Sequence, residues 1–124
     1  MRFVKPEITR LEFVDSDGEK AWIEVKNELT VGEEKRYRAA AFGRVQAMGG
    51  SNGIDIDWEC MAFARVDAYL VEWSDKRPLN TDAIRALSSE DFEQIDALIQ
   101  AHIERRAQEK KVKTGEPTLA AVSA

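Results

Sequence analysis

The sequence predicts a helix-dominated α+β fold, in which an N-terminal β-hairpin packs on about three main α-helices and one short helix. Residues 8–26 contain two runs of alternating apolar and polar side chains, which is the pattern of half-buried strands. Residues 30–111 instead show apolar side chains at helical spacing. The chain has 124 residues, the usual size of one domain. We therefore expect a single domain over residues 1–113 and a flexible tail over residues 114–124.

The hairpin is predicted from two alternating segments and the turn between them. Leu11 and Phe13 lie on one side of the first strand, residues 8–14, and residues 20–26 alternate in the same way. The segment at residues 15–18, Asp-Ser-Asp-Gly, is typical of a turn. Since two strands alone are marginally stable in water, one face must pack on the helices. The exposed edges leave strand addition by another chain open.

Four helices are expected after the hairpin. Their predicted ranges are about 30–48, 57–74, 81–87 and 89–111. Thr30 and Glu33 have the spacing of a capping box, which marks the start of the first helix. A wide apolar stripe predicts that the second is the central core helix; it comprises Trp58, Met61, Ala62, Val66, Tyr69, Leu70 and Trp73. The buried face of the last helix comprises Phe92, Ile95, Leu98, Ile99 and Ile103.

Composition and charge exclude several classes of function. The formal net charge of −5 opposes binding to nucleic acid, because phosphate neutralisation needs clustered basic residues. A single cysteine excludes an internal disulfide and any zinc site built from several cysteines. The N-terminal residues carry charge where a secretory signal needs an apolar run, and no stretch approaches about 18 consecutive apolar residues. We therefore expect no membrane partner and a cytosolic site of action.

The sequence contains no cluster of catalytic residue types that supports an enzyme. His102 is the only histidine and lies near the end of an apolar helix face, which favours a structural or exposed side chain over a catalytic one. Cys60 lacks the histidine that would activate it as a nucleophile, so a buried, inert thiol is expected. Asp55, Asp57 and Glu59 fit the first turn of a helix better than a metal site. We predict a protein that is not an enzyme and that uses no cofactor or metal.

Two features indicate protein–protein interaction. Large aromatic residues near the ends of elements can anchor a partner, although core packing explains them as well. A basic run in an otherwise acidic chain can dock on an acidic partner or remain solvated. The candidate partner-binding residues are Trp22, Trp73, Arg105, Arg106, Lys110 and Lys111.

The order of these segments resembles the tail assembly chaperones of long-tailed, siphovirus-type bacteriophages and prophages. The resemblance covers about residues 20–111. It rests on Glu-Leu-Thr-Val-Gly-Glu at residues 28–33, Ala-Tyr-Leu-Val-Glu-Trp-Ser at residues 68–74 and Leu-Ser-Ser-Glu-Asp-Phe at residues 87–92. None of these segments is a catalytic motif.

The resemblance implies a helper protein in the cytoplasm of the bacterial host. Such a chaperone binds the tape-measure protein and recruits tail-tube subunits. Self-association is a separate prediction, which the exposed hairpin edges leave open. Two alternatives remain open from the residues. One is a structural virion protein, such as a neck, tail-terminator or baseplate adaptor. The other is a small regulatory enzyme or metal protein that uses Asp55, Asp57 and Glu59.

Overall fold

A computed structural model describes residues 1–47 and 58–113 of the chain. Its elements are β1 (Ile8–Val14), β2 (Lys20–Lys26), α1 (Val31–Ala47), α2 (Trp58–Tyr69), β3 (Leu70–Trp73), α3 (Thr81–Arg85) and α4 (Ser89–Lys113). The predicted helix-dominated α+β class is confirmed. The predicted flexible tail at residues 114–124 lies outside the described residues.

The predicted hairpin at residues 8–26 is confirmed. Strands β1 and β2 pair antiparallel from Ile8 opposite Lys26 to Val14 opposite Lys20. The Asp15 carboxylate accepts hydrogen bonds from the backbone N–H groups of Asp17 and Glu19, both at 2.9 Å. Gly18 has a φ of 81°, a left-handed conformation that costs glycine little. The local sequence of the turn therefore determines the register of the two strands.

The predicted helix at residues 57–74 is wrong at its C-terminal end. Helix α2 ends at Tyr69, and Leu70–Trp73 forms a third strand that pairs antiparallel with β2. The sheet order is β1-β2-β3, so β2 is central. Strand β2 offers unpaired backbone groups along its free edge, and pairing with them outweighs one more turn of helix. Both ends of β3, Leu70 and Trp73, are buried.

Side-chain caps define where the other helices begin. The predicted capping box is present: Thr30 Oγ1 accepts from Glu33 N–H at 3.1 Å, and Glu33 Oε1 accepts from Thr30 N–H at 2.9 Å. Ser88 caps α4, because its Oγ accepts from Asp91 N–H at 3.2 Å. Helix α3 is shorter than the predicted 81–87 and is capped by Asn80, whose side chain accepts from the N–H of Ala83.

The core lies between the inner face of the sheet and helices α2, α3 and α4. Its buried members are Ile23, Val25, Val66, Leu70, Trp73, Ala83, Ile84, Ile95 and Ile99. Ile95 and Ile99 belong to the predicted buried face of α4, whose other members are partly buried against the same cluster. The fold is thus a two-layer arrangement of one sheet on helices.

Candidate protein-binding groove

A groove of about 660 Å³ lies between the first turns of α2, the short helix α3 and the start of α4. Its apolar lining includes Ala62 and Phe63 from α2, Leu87 from the α3–α4 connection and Phe92 from α4. Apolar concave surfaces of this size are typical of binding sites. Helix α3 contributes Ile84 and Arg85 to one wall of the groove.

Aromatic side chains form the floor and the mouth of the groove. The rings of Phe63 and Phe92 stack with centroids 6.3 Å apart and an angle of 17° between their planes. The Arg85 guanidinium lies 5.0 Å from the centroid of the Phe63 ring. Trp58, at the first position of α2, is 70% exposed and also lines the groove. An exposed tryptophan beside an apolar floor can anchor a partner.

A partly buried ion pair joins α2 to α4 and holds the groove in shape. Arg65 donates from Nε and Nη2 to the two carboxylate oxygens of Asp96, at 2.8 and 2.9 Å, and Gln100 donates to Asp96 at 2.8 Å. The hydrogen bond to Asp96 raises the pKa of Arg65, although burial opposes the shift. Bidentate pairs of this kind have strict geometry. We infer that they keep α2 and α4 at a constant spacing.

The remaining charges of the groove are mostly acidic. Glu59 and Glu93 line it and are both exposed, while Arg85 supplies a positive charge over Phe63. Asp96 also lines the groove, but Arg65 neutralises it. An apolar floor with carboxylates beside it is complementary to a segment that carries apolar anchors next to Lys or Arg.

The two tryptophans predicted to bind a partner differ in their exposure to solvent. Trp22 is half-buried on the outer face of the sheet, where the Arg10 guanidinium lies 3.8 Å from its ring centroid. Trp73 is only 6% exposed, belongs to the core and donates from Nε1 to the Arg77 carbonyl at 2.6 Å. The structure therefore removes Trp73 from the candidate surface residues, because strand β3 turns its ring inward.

The basic run on α4 is exposed in part and already makes contacts within the chain. Arg106 pairs with Glu109 at 2.8 Å, and Lys110 lies 3.3 Å from Glu28. Arg105 and Lys111 are exposed on the same helix. Arg105 lies 3.4 Å from Nδ1 of His102. The structure thus places all four basic residues at the C-terminal half of α4, away from the groove at its N-terminal half.

A second depression of about 540 Å³ lies beside this basic run and is internally neutralised. Arg2 and Lys110 both contact Glu28. The hydrogen bond from Arg2 is the main reason that the pKa of Glu28 is lowered to about 2, and the opposing effect of burial is smaller. Tyr37 and Tyr69 meet edge to face with ring centroids 6.5 Å apart. Since its charges are paired with one another, we favour the apolar groove as the binding site.

Of the other sequence candidates, His102, Cys60 and Glu59 lie in the described part of the chain. His102 is 1% exposed, and burial lowers its pKa, with the nearby Arg105 acting in the same direction. Cys60 is half-buried rather than buried, and its thiol donates to the Ala40 carbonyl at 3.3 Å. Asp55 and Asp57 lie outside the described residues, while Glu59 lines the groove.

Within residues 1–47 and 58–113, no three His, Cys, Asp or Glu side chains form a group able to hold a metal ion. The same part of the chain contains no helix that is both long enough and apolar enough to span a membrane. Comparisons with protein-family models, curated proteins and solved structures found no match to this chain. The residues of the chain itself therefore have to carry any functional inference.

Sequence reasoning missed the groove because it placed Trp58 in the central core stripe. The apolar spacing of α2 is correct, but Trp58 lies beyond the edge of the core cluster and remains exposed. One signal was available, since the run Trp58 to Ala64 carries more apolar residues than one buried face of a helix needs. That signal indicates a second contact surface without locating it.

Proposed function

We propose that this protein is a tail assembly chaperone of a long-tailed bacteriophage or prophage, acting in the cytoplasm of the bacterial host. It binds the tape-measure protein and recruits tail-tube subunits, without being an enzyme. Two things support the proposal. One is the resemblance of segment order over residues 20–111, and the other, which carries the structural argument, is the apolar groove with exposed Trp58 at its mouth.

The groove suits a partner in the form of an amphipathic helix. Such a helix presents apolar side chains every three or four residues along one face, and an apolar groove can accept that face. The tape-measure protein is long and helical, and its apolar faces are an aggregation hazard before the tube assembles around them. Covering one such face with Trp58, Phe63 and Phe92 removes the hazard while the tube subunits arrive.

The geometry also favours reversible binding. The groove is about 660 Å³, which accommodates a few side chains of a partner rather than a large interface. Small interfaces are typical of transient complexes. A tail-tube subunit that binds the same tape-measure segment over a larger area can therefore displace the chaperone.

Co-expression with the tape-measure and tail-tube proteins of the same gene neighbourhood tests the proposal. Affinity purification should recover a complex with the tape-measure protein, and mass spectrometry should find this chain absent from finished particles. Stoichiometric retention in the particle would instead establish a structural virion protein. Failure to bind either protein would refute the chaperone function.

A matched pair of tryptophan variants tests the groove as the binding site. Trp58→Ala removes the exposed anchor and should weaken tape-measure binding about tenfold or more, as expected for an aromatic anchor residue. Trp22→Ala removes the partly exposed tryptophan of the sheet, outside the groove, and should leave the affinity nearly unchanged. Equal losses in the two variants would show that the groove is not the site.

A further inference from the structure

The outer edge of strand β1 is a second candidate interaction surface, independent of the groove. The sheet order β1-β2-β3 leaves this edge without a neighbouring strand among residues 1–47 and 58–113. Asn27 donates to the Glu7 carbonyl and Asp15 donates to the Glu19 carbonyl, so the odd-numbered residues of β1 exchange hydrogen bonds with β2. The N–H and C=O groups of the even-numbered residues therefore point to the outer edge.

The four outward residues are self-complementary in one antiparallel register. They are Ile8, Arg10, Glu12 and Val14, and their side chains all lie on the exposed face of the sheet. If a second copy of β1 pairs with the first about a two-fold axis at Leu11, Arg10 lies opposite Glu12 of the second copy. Ile8 then lies opposite Val14. Every outward residue thus meets a partner of opposite charge or of like apolar character.

This register satisfies the backbone as well as the side chains. In an antiparallel sheet, opposite residues of a hydrogen-bonded pair exchange both their N–H and C=O groups. Outward residues can therefore pair only with outward residues, and a two-fold axis at Leu11 meets that condition. Side chains that lie opposite each other in such a pair come within about 5 Å at Cβ, close enough for ion pairing.

The two charged residues of this edge differ in their contacts within the chain. Arg10 lies 3.8 Å from the Trp22 ring centroid and 3.4 Å from Glu24, which both belong to β2. Its side chain is 51% exposed, and it turns from β2 towards the outer edge to meet Glu12 of the second copy. Glu12 makes no ion pair with any of the described residues. Ile8 and Val14 are 46% and 55% exposed. In the dimer, Ile8 of one copy packs against Val14 of the other, which partly buries both side chains.

We propose that two copies of this chain associate through their β1 strands to form a continuous six-stranded sheet across a two-fold axis at Leu11. A two-fold contact uses the same edge on both copies and therefore closes after one pairing. The other sheet edge is the four-residue strand β3, which is too short to compete. The dimer leaves the groove of each copy open, since the groove is built from α2, α3 and α4.

Charge-swap variants of the full chain test both the dimer and its register. Sedimentation velocity over a range of concentrations should show a dimer for the wild type. Glu12→Lys places Lys opposite Arg10, and Arg10→Glu places Glu opposite Glu12. The dissociation constant of the dimer should therefore rise about tenfold or more in each variant alone. An equimolar mixture of the two variants should restore the wild-type dimer, because each copy then meets opposite charges at both positions.

Each outcome distinguishes the proposal from its alternatives. A wild-type chain that stays monomeric up to several hundred micromolar overturns it, and so do single variants that remain dimeric or a mixture that fails to associate. Arg10→Glu also loses contacts with Trp22 and Glu24, so circular dichroism must show that it folds. If it does not, Glu12→Pro replaces it: this change removes one outward N–H but no hydrogen bond to β2, and should give a monomer.

The proposed partner-binding groove and the proposed β1 dimer can be tested independently of each other. Trp58→Ala should leave the dimer intact, and Glu12→Lys should leave tape-measure binding by the groove intact. Loss of the dimer in Trp58→Ala would place the self-association in the groove and overturn the edge proposal.

Discussion

Replacement of Asp96 by Asn should be among the most damaging single substitutions of a charged residue in the helical layer. The carboxylate accepts two hydrogen bonds from Arg65 and one from Gln100, and the side chains of Arg65 and Asp96 are only 17% and 11% exposed. Asn has nearly the same shape but no charge, and its NH2 group cannot accept from Arg65. The substitution thus leaves a guanidinium that is largely removed from water without its counter-charge.

The expected loss follows from that geometry. Breaking one partner of a buried ion pair costs about 3–5 kcal/mol, and the residual exposure of this pair places it near the lower end of that range. About 3 kcal/mol corresponds to a drop in Tm on the order of 10 °C for a domain of this size. Replacing both partners, with Arg65→Met and Asp96→Leu together, should cost much less, because no unpaired charge remains.

Urea unfolding followed by tryptophan fluorescence measures the effect, because Trp73 lies in the core. The matched control is Glu93→Gln, which removes a carboxylate from an exposed position on the same helix and should change the unfolding free energy by less than about 0.5 kcal/mol. An Asp96→Asn variant within that margin of wild type would refute the reasoning. So would a double variant whose loss equals the sum of the two single losses.

Three further predictions concern stability. Burial lowers the pKa of His102 from 6.5, so the unfolded chain binds a proton that the folded chain does not. The unfolding free energy should therefore fall as the pH drops below about 6.5. The variant His102→Gln should lose this pH dependence, and an unchanged pH profile would contradict the prediction. The hydrogen bonds from Lys26 and from the Thr30 N–H lower the pKa of Glu33 to about 2. The ionised Glu33 therefore stabilises the fold above pH 4.5, and this stabilisation is lost as the pH falls towards 2. The unfolding free energy of Glu33→Gln should not show this loss between pH 4.5 and 2. Thr30→Ala removes the α1 cap and should cost about 1 kcal/mol in urea unfolding, whereas Val31→Ala, at an exposed neighbouring position, should cost clearly less.

Elements with strong local signals were predictable from the sequence. The hairpin turn is determined by the side-chain hydrogen bonds of Asp15 and by the positive φ of Gly18. Both effects act within five residues of the chain. The start of α1 follows from the capping box of Thr30 and Glu33, which is equally local. The buried face of α4 was predictable because a long helix repeats its apolar spacing many times.

Other features depended on contacts between residues distant in the chain. Leu70–Trp73 continues the helical spacing of α2, yet it forms strand β3 because β2, some 45 residues earlier, offers an unpaired edge. That switch buries Trp73 and excludes it as an anchor. The groove is lined by residues of α2, α3 and α4, and the Arg65–Asp96 pair joins α2 to α4 across 31 positions of sequence.

What the sequence by itself determined is therefore the class of fold, the hairpin, the helix starts and the absence of a recognisable catalytic motif. These follow from periodicity and from hydrogen bonds between near neighbours. Only the tertiary structure decided which tryptophan lies at the surface, where strand β3 forms, and that no strand of the described residues covers the β1 edge with Arg10 and Glu12. Each of these depends on which elements pack together, and packing is a property of the whole chain rather than of any local segment.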